Sequence, residues 1–287
     1  MNVDECALAA PLQGVLLVPD RPNGLGIVVL GGSSGSVNVE RARLFAQYGA
    51  VAIALRWFGG EGQSPGICEV PIESFTPATD KLVEAGCNRI AYLGMSKGAE
   101  AALLVAVHDP RIDFVIAVSP TSVVWANAGV GLDGAGLPLR SSWTLQGNPL
   151  PFISYDVSRM PAPQDGLMHF RAYHEESLAR FAEAIPAASI PVERSRATFV
   201  LVAGADDALW PSDRFAASLA ERLAAAGSRH LLVTHPHAGH RIVLPGETAT
   251  RSRVNAHGGT DEADRELGRA AWDAIVAVCG LGSARPW

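Results

Sequence analysis

Three short stretches of this chain carry residue types that can act together on an acyl carbon: Gly94-Met95-Ser96-Lys97-Gly98, Asp206-Asp207 and His235-Pro236-His237-Ala238-Gly239-His240. A serine hydroxyl is a weak nucleophile at neutral pH and needs a base. A histidine base in turn needs an acid group to fix its tautomer and stabilise its charged form. Ser96 is the candidate nucleophile, Asp207 the acid and His240 the base, in the order serine, aspartate, histidine. Asp207 is preferred to Asp206 because it stands three residues after Gly204 and four before Pro211. The other aspartate is left as a helix N-cap or loop hydrogen-bonder. His240 is preferred to its rivals His235 and His237 because Gly239, lacking a side chain, lets its loop approach the serine turn. The spacing His-x-His-x-x-His also suits metal ligands, but no further histidine and carboxylate set accompanies it. No metal and no organic cofactor is therefore expected. His108, His169, His174, His230 and His257 are expected to be solvated or structural.

The serine must be lifted out of its surroundings to react. Residues 90–93 form a short apolar run of strand type, and the Ala/Leu-rich run after Gly98 is of helix type, so Ser96 falls on a sharp strand-to-helix turn. Gly94 and Gly98 have no Cβ to collide where strand and helix pass close together. Such a turn aims the first N–H groups of the helix at the place where negative charge develops on an attacked carbonyl. The glycine-rich Gly31-Gly32-Ser33-Ser34-Gly35-Ser36, after an early apolar strand, lacks the lysine of a P-loop and the full spacing of a dinucleotide fingerprint. It reads better as the second half of an oxyanion hole, formed by the N–H of Lys97 and that of Gly32 or Ser33.

Strand-type runs at 14–18, 26–30, 51–55, 90–93, 114–118, 198–203 and 231–234 alternate with helix-type runs at 39–48, 75–84, 97–107, 209–226 and 262–278. This alternation predicts an α/β fold with a mostly parallel central sheet and helices on both faces, and the order serine, aspartate, histidine is the one expected of the α/β-hydrolase fold. The rhythm breaks from about 119 to 195, a stretch with Trp125, Trp143, Phe152, Tyr155, several prolines and one helical candidate at 169–184. So long a departure between two sheet strands predicts a lid-like insertion over the site. No repeat or linker divides the chain, so one domain over 1–287 is expected.

Composition excludes several classes. With 48% hydrophobic residues the chain has ample core, and a net charge of −6 gives no basic excess for nucleic acid or a membrane surface. The four cysteines, Cys6, Cys68, Cys87 and Cys279, lack zinc or redox spacing and are expected as free thiols. The first residues are acidic where a secretory signal would be positive, and no apolar run approaches membrane length, so a cytoplasmic protein is expected. Lys81 and Lys97 are the only two lysines.

Several runs together resemble the catalytic domain shared by acyl-CoA thioesterases and bile acid-CoA:amino acid N-acyltransferase. They are the 30–36 turn, Ala52-Ile53-Ala54-Leu55-Arg56-Trp57-Phe58-Gly59, Gly94-Met95-Ser96-Lys97-Gly98-Ala99-Glu100 and Ser119-Pro120-Thr121-Ser122-Val123-Val124-Trp125. Ser142-Trp143-Thr144, Pro149-Leu150-Pro151-Phe152, Ile190-Pro191-Val192-Glu193 and Asp206-Asp207 followed by Trp210 continue the likeness, which runs from Gly26 onward. The resemblance implies cleavage of an acyl thioester, with Ser96, Asp207 and His240 matching the family's triad. Long members of that family place a β-sandwich domain first, and the few residues before Gly26 lead to the expectation that none is present here. The amino-acid-conjugating member carries cysteine at the turn. Serine here shifts the expectation from transfer to hydrolysis. The expected partner is a small acyl thioester, from acyl-CoA or another pantetheine-linked acyl group. The alternatives are an ester, lactone or amide of a specialised metabolite, or transfer of the acyl group to an amine or alcohol.

Overall fold

The computed structural model describes residues 2–248 and 250–282; residue 1 and residues 283–287, the ends of the expected domain span, lie outside the described residues. In chain order the first half comprises β1 (Val3–Ala7), β2 (Gln13–Pro19), β3 (Leu25–Leu30), α1 (Val39–Gln47), β4 (Val51–Arg56), β5 (Val70–Pro71), α2 (Thr76–Glu84), β6 (Arg89–Met95), α3 (Lys97–His108) and β7 (Phe114–Val118). The second half comprises β8 (Trp143–Leu145), β9 (Asn148–Pro149), α4 (Arg171–Arg180), α5 (Ile185–Ala188), β10 (Thr198–Gly204), α6 (Ser212–Ala225), β11 (His230–His235) and α7 (Asp261–Cys279).

Eight strands form the central sheet in the order β1-β2-β4-β3-β6-β7-β10-β11. From β4 to β11 every neighbour is parallel, while β1 and β2 add an antiparallel edge. Alternation within the apolar runs divides the core between the two faces. In β3, Val28 and Leu30 join the cluster with Phe75 of the segment before α2, Leu103 of α3 and Leu219 of α6. Ile27 and Val29 join Phe45 of α1 and Trp272 and Ile275 of α7 on the other face. The first edge strand, Val-Asp-Glu-Cys-Ala, is mostly exposed and shows no apolar alternation, so the sequence gives no sign of it.

Residues 119–197 leave the sheet after β7 and return at β10. The small strands β8 and β9 pair within this insertion, and β8 also pairs with β5 in a separate three-stranded sheet. The expected helix at 169–184 is broken after Arg180 into α4, a single 3₁₀ turn and α5, with a proline in the first turn of α5. Val123, Trp125, Ile153, Ala188, Trp210 and Phe215 give the insertion a small core of its own, shared with the start of α6.

Backbone packs closely on backbone where β6 passes into α3. A Cβ on Gly94 would overlap the Gly98 carbonyl, and one on Gly98 would overlap the Gly31 and Leu30 carbonyl oxygens. These are backbone atoms with no rotamer to yield, so a side chain would separate helix from strand. Gly98→Ala is expected to lower the unfolding free energy by about 3 kcal/mol, read from urea unfolding. A change below about 1 kcal/mol would show that the helix can shift to accept a methyl group.

Candidate active site

One residue makes the turn between β6 and α3. Ser96 has φ 58° and ψ −123°, a conformation that L residues rarely hold. It is held by its own backbone: Ser96 N–H donates to the Val118 carbonyl at 2.9 Å, and the Ser96 carbonyl accepts from Ala99 and Glu100 at 2.9 and 3.1 Å. Gly32 lies against it, since a Cβ there would stand 3.2 Å from Ser96 Cβ and 3.8 Å from Ser96 Oγ.

Asp207 follows the end of β10 and is 1% exposed. Its Oδ1 accepts the Leu209 and Trp210 N–H groups at 2.8 and 3.2 Å. Its Oδ2 accepts the Ser212 hydroxyl at 2.6 Å and faces His240 Nδ1 at 2.8 Å. Four donors match the lone-pair capacity of an ionised carboxylate, which pins the acid in place. A His240 that donates from Nδ1 presents its lone pair at Nε2. Asp206, by contrast, is exposed and accepts the Gly259 N–H at 2.9 Å.

The loop around His240 is held at four further points. His240 N–H donates to the His257 carbonyl at 2.7 Å, and Ser119 Oγ donates to the His240 carbonyl at 2.6 Å. Gly239 N–H donates to Asp264 Oδ1 at 2.8 Å, and Arg241 lies 2.6 Å from Asp261. The need for a small residue before His240 is real, but its cause differs from the expected approach to the serine turn. A Cβ on Gly239 would lie 2.5 Å from backbone atoms of His257 and Gly258, the segment packed behind the loop. The rival histidines face elsewhere: His235 Nε2 lies 3.1 Å from Glu266, and His237 is exposed. Among the described residues no three histidine, cysteine or acidic side chains gather to hold a metal.

Ser33, Ser96, Lys97 and His240 line one cavity of about 540 Å³. Most of the remaining wall comes from the insertion. Ala128, Val130, Leu137, Leu139, Val157 and Met160 contribute aliphatic wall, while the mutually packed Tyr155, Phe170, Tyr173, His174 and Trp210 form an aromatic side. Sequence reasoning missed His174, which stands among these rings with centroids 4.8 Å from Trp125, 5.6 Å from Tyr155 and 5.7 Å from Trp210. Its Nδ1 lies 2.9 Å from the Phe170 carbonyl. Burial lowers its pKa to about 4, so it is neutral at pH 7. The pattern Phe170, Tyr173, His174, at helical spacing from the N-cap into α4, was the available signal. Ser119 and Ser212 were also missed: Ser119 reaches the His240 carbonyl across the assembled sheet, and Ser212 reaches Asp207 only because the loop between β10 and α6 folds back on itself.

Residues 72–277 match the family model described as BAAT / Acyl-CoA thioester hydrolase C terminal. Acyl-coenzyme A thioesterase 6 of Homo sapiens is 28% identical over 279 residues, covering 93% of this chain and 62% of that protein. Mitochondrial acyl-coenzyme A thioesterase 2 of Homo sapiens is 28% identical over 250 residues, covering 85% of this chain and 48% of that protein. The chain thus spans about half to three-fifths of the length of these curated relatives. Among solved structures, a puromycin-hydrolyzing peptidase of Mycobacterium tuberculosis matches with TM-score 0.57 at 15% identity, over 99% of this chain and 40% of that one. A dienelactone hydrolase-like promiscuous phosphotriesterase from metagenomic libraries matches with TM-score 0.52 at 13% identity, over 98% of both chains. These likenesses speak to the fold, which is that of the α/β-hydrolases. With the family model covering most of its length, the chain belongs to the BAAT / acyl-CoA thioester hydrolase C-terminal family.

Proposed function

We propose that this protein hydrolyses an acyl thioester, of CoA or another pantetheine carrier, through Ser96, His240 and Asp207. The observation that carries this reading is the buried Asp207–His240 pair at 2.8 Å, whose histidine shares an apolar cavity with a serine on a strained strand-to-helix turn. The family and the names of its curated relatives supply the thioester.

In this mechanism His240 Nε2 takes the Ser96 proton as Oγ bonds to the thioester carbon. The carbonyl oxygen becomes an oxyanion, met by the N–H of Lys97 and that of Gly32 or Ser33. Collapse breaks the carbon–sulfur bond, and the thiolate leaves with the proton from His240. Water then repeats the sequence on the acyl-serine and releases the acid. The 119–197 insertion supplies the acyl pocket. A neutral His174 leaves the aromatic side of that pocket uncharged, which suits an acyl chain better than a charged group.

Ser96→Ala is expected to lower thiol release from a panel of acyl-CoAs by at least about 1,000-fold, followed with a thiol reagent beside matched oxygen esters. Asp207→Asn is expected to cost about 100-fold or more, and Asp206→Asn less than about threefold. Unchanged turnover in Ser96→Ala would remove Ser96 as nucleophile. Turnover of oxygen esters alone would replace the thioesterase reading with an esterase, and acyl transfer to added amines would replace hydrolysis with transfer.

The depressed histidines also set an acid limit. His174 and His257 are each lowered from 6.5 to about 4, first by burial; for His257 the charges of His240 and Arg241 add to the shift. The unfolded chain therefore takes up these protons first as pH falls. Their contribution to stability is complete above about pH 6.5 and is lost as pH falls toward 4. For His174, discounted for its partial contact with solvent, this is about 1–2 kcal/mol lost between pH 7 and pH 5. His174→Gln is expected to lose less stability than wild type over that interval in urea unfolding. Equal losses would contradict the assignment.

A further inference from the structure

The motif residues that the catalytic trio does not use meet in one buried cluster. Lys97, one of only two lysines, has a side chain 5% exposed. Its ammonium donates to Glu100 Oε2 and to Ser142 Oγ, both at 2.8 Å. Glu100 is fully buried, and its other oxygen accepts the Trp125 N–H at 3.0 Å and the Trp143 indole N–H at 2.8 Å. Trp143 stacks on Trp57 with centroids 5.3 Å apart, and the Trp57 indole donates to the Gly31 carbonyl at 3.1 Å.

Both ends of this chain of contacts finish at a peptide unit of the proposed oxyanion hole. A peptide bond is planar, so fixing its carbonyl fixes the direction of its N–H. The Gly31 carbonyl shares a plane with the Gly32 N–H, and the Ser96 carbonyl, held by the Ala99 and Glu100 N–H groups, shares one with the Lys97 N–H. We propose that the Lys97–Glu100 pair, with Trp143 and Trp57, is a positioning device that sets the two oxyanion-hole N–H groups relative to each other. None of these side chains need touch the reacting carbon. Lys97 contributes its backbone N–H to the oxyanion and uses its side chain for position. The proposal rests on Ser96 as the nucleophile and on Gly32, rather than Ser33, as the second oxyanion donor.

The test uses 1,1,1-trifluorodecan-2-one, whose ketone carbon takes up Ser96 Oγ; the π bond breaks to leave an oxyanion on carbon, and the serine proton passes to His240. Trp57→Phe keeps a ring in the stack and deletes the indole donor, at the cost of some buried volume. Lys97→Met combined with Glu100→Gln removes both buried charges together, so neither remains uncompensated. In both variants kcat on an acyl-CoA, or on p-nitrophenyl butyrate if CoA esters are not turned over, is expected to fall about 10- to 100-fold. KM is expected to stay within about twofold, and affinity for the trifluoroketone to weaken with kcat/KM. A purely structural cluster would lower the melting temperature and leave the kcat of the folded fraction and the ketone affinity unchanged, which overturns the proposal. If the double variant does not fold, Trp57→Phe decides alone. Failure of the ketone to bind the wild type, or its unchanged binding to Ser96→Ala, would instead overturn the nucleophile and the proposal together.

Discussion

Backbone lies directly on backbone where β6 turns into α3, and much of the site depends on that contact. With glycine at 94 and 98, the helix can start against the strand it has just left and against the carbonyls that end β3. Ser96 then has no room for an ordinary conformation and is raised into the left-handed region at φ 58°. The same closeness brings Gly32 up to the serine side chain. It also buries α3 from Lys97 to Ala106, so the charged residues of its first turn must find partners inside the protein.

The buried charges are each answered by placed donors or opposite charges. Asp207 collects four hydrogen bonds, and Glu100 collects an ammonium, an indole and a backbone N–H. Arg241 and Asp264 behind the histidine loop are looser. Arg241 Nε stands 3.2 Å from Asp264 Oδ2, close enough to attract, yet the two are not aligned as a hydrogen bond. Asp264 is tied to the loop through the Gly239 N–H, and burial pushes its carboxyl pKa up. Burial likewise lowers the Lys97 pKa, against the pull of Glu100. This side of the molecule is thus made of pairs in which removing one member leaves the other costly to keep charged.

The parallel strands were legible because strands buried on both faces must be continuously apolar, as the Ile27 to Leu30 run is. The serine turn was legible because its geometry demands glycine at fixed spacing. The preference for Asp207 over Asp206 rested on register, and the structure turns the first toward His240 and the second toward Gly259. What sequence could not convey was contact made at long range. Strands of two or three residues, such as β5, β8 and β9, leave no periodicity to detect, and the solvated β1 has no apolar face. His174 looked like one of several ordinary histidines because its aromatic surroundings come from Trp125, Tyr155 and Trp210, far apart in the chain.

The 119–197 insertion forms most of the cavity wall, while the proposed catalytic residues stand on loops of the sheet. Such a division usually makes a module, in which one segment can diverge or be exchanged while the chemistry stays constant. Here the module is bolted to the rest of the chain, since the Trp125 N–H and the Trp143 indole both end on Glu100 of α3, Ser142 Oγ accepts from Lys97, and β8 pairs with β5. Divergence of the cavity wall is therefore tethered at 125, 128 and 142–143, where the insertion is tied to the rest of the chain. A transplanted insertion would have to bring its own indole donor for Glu100.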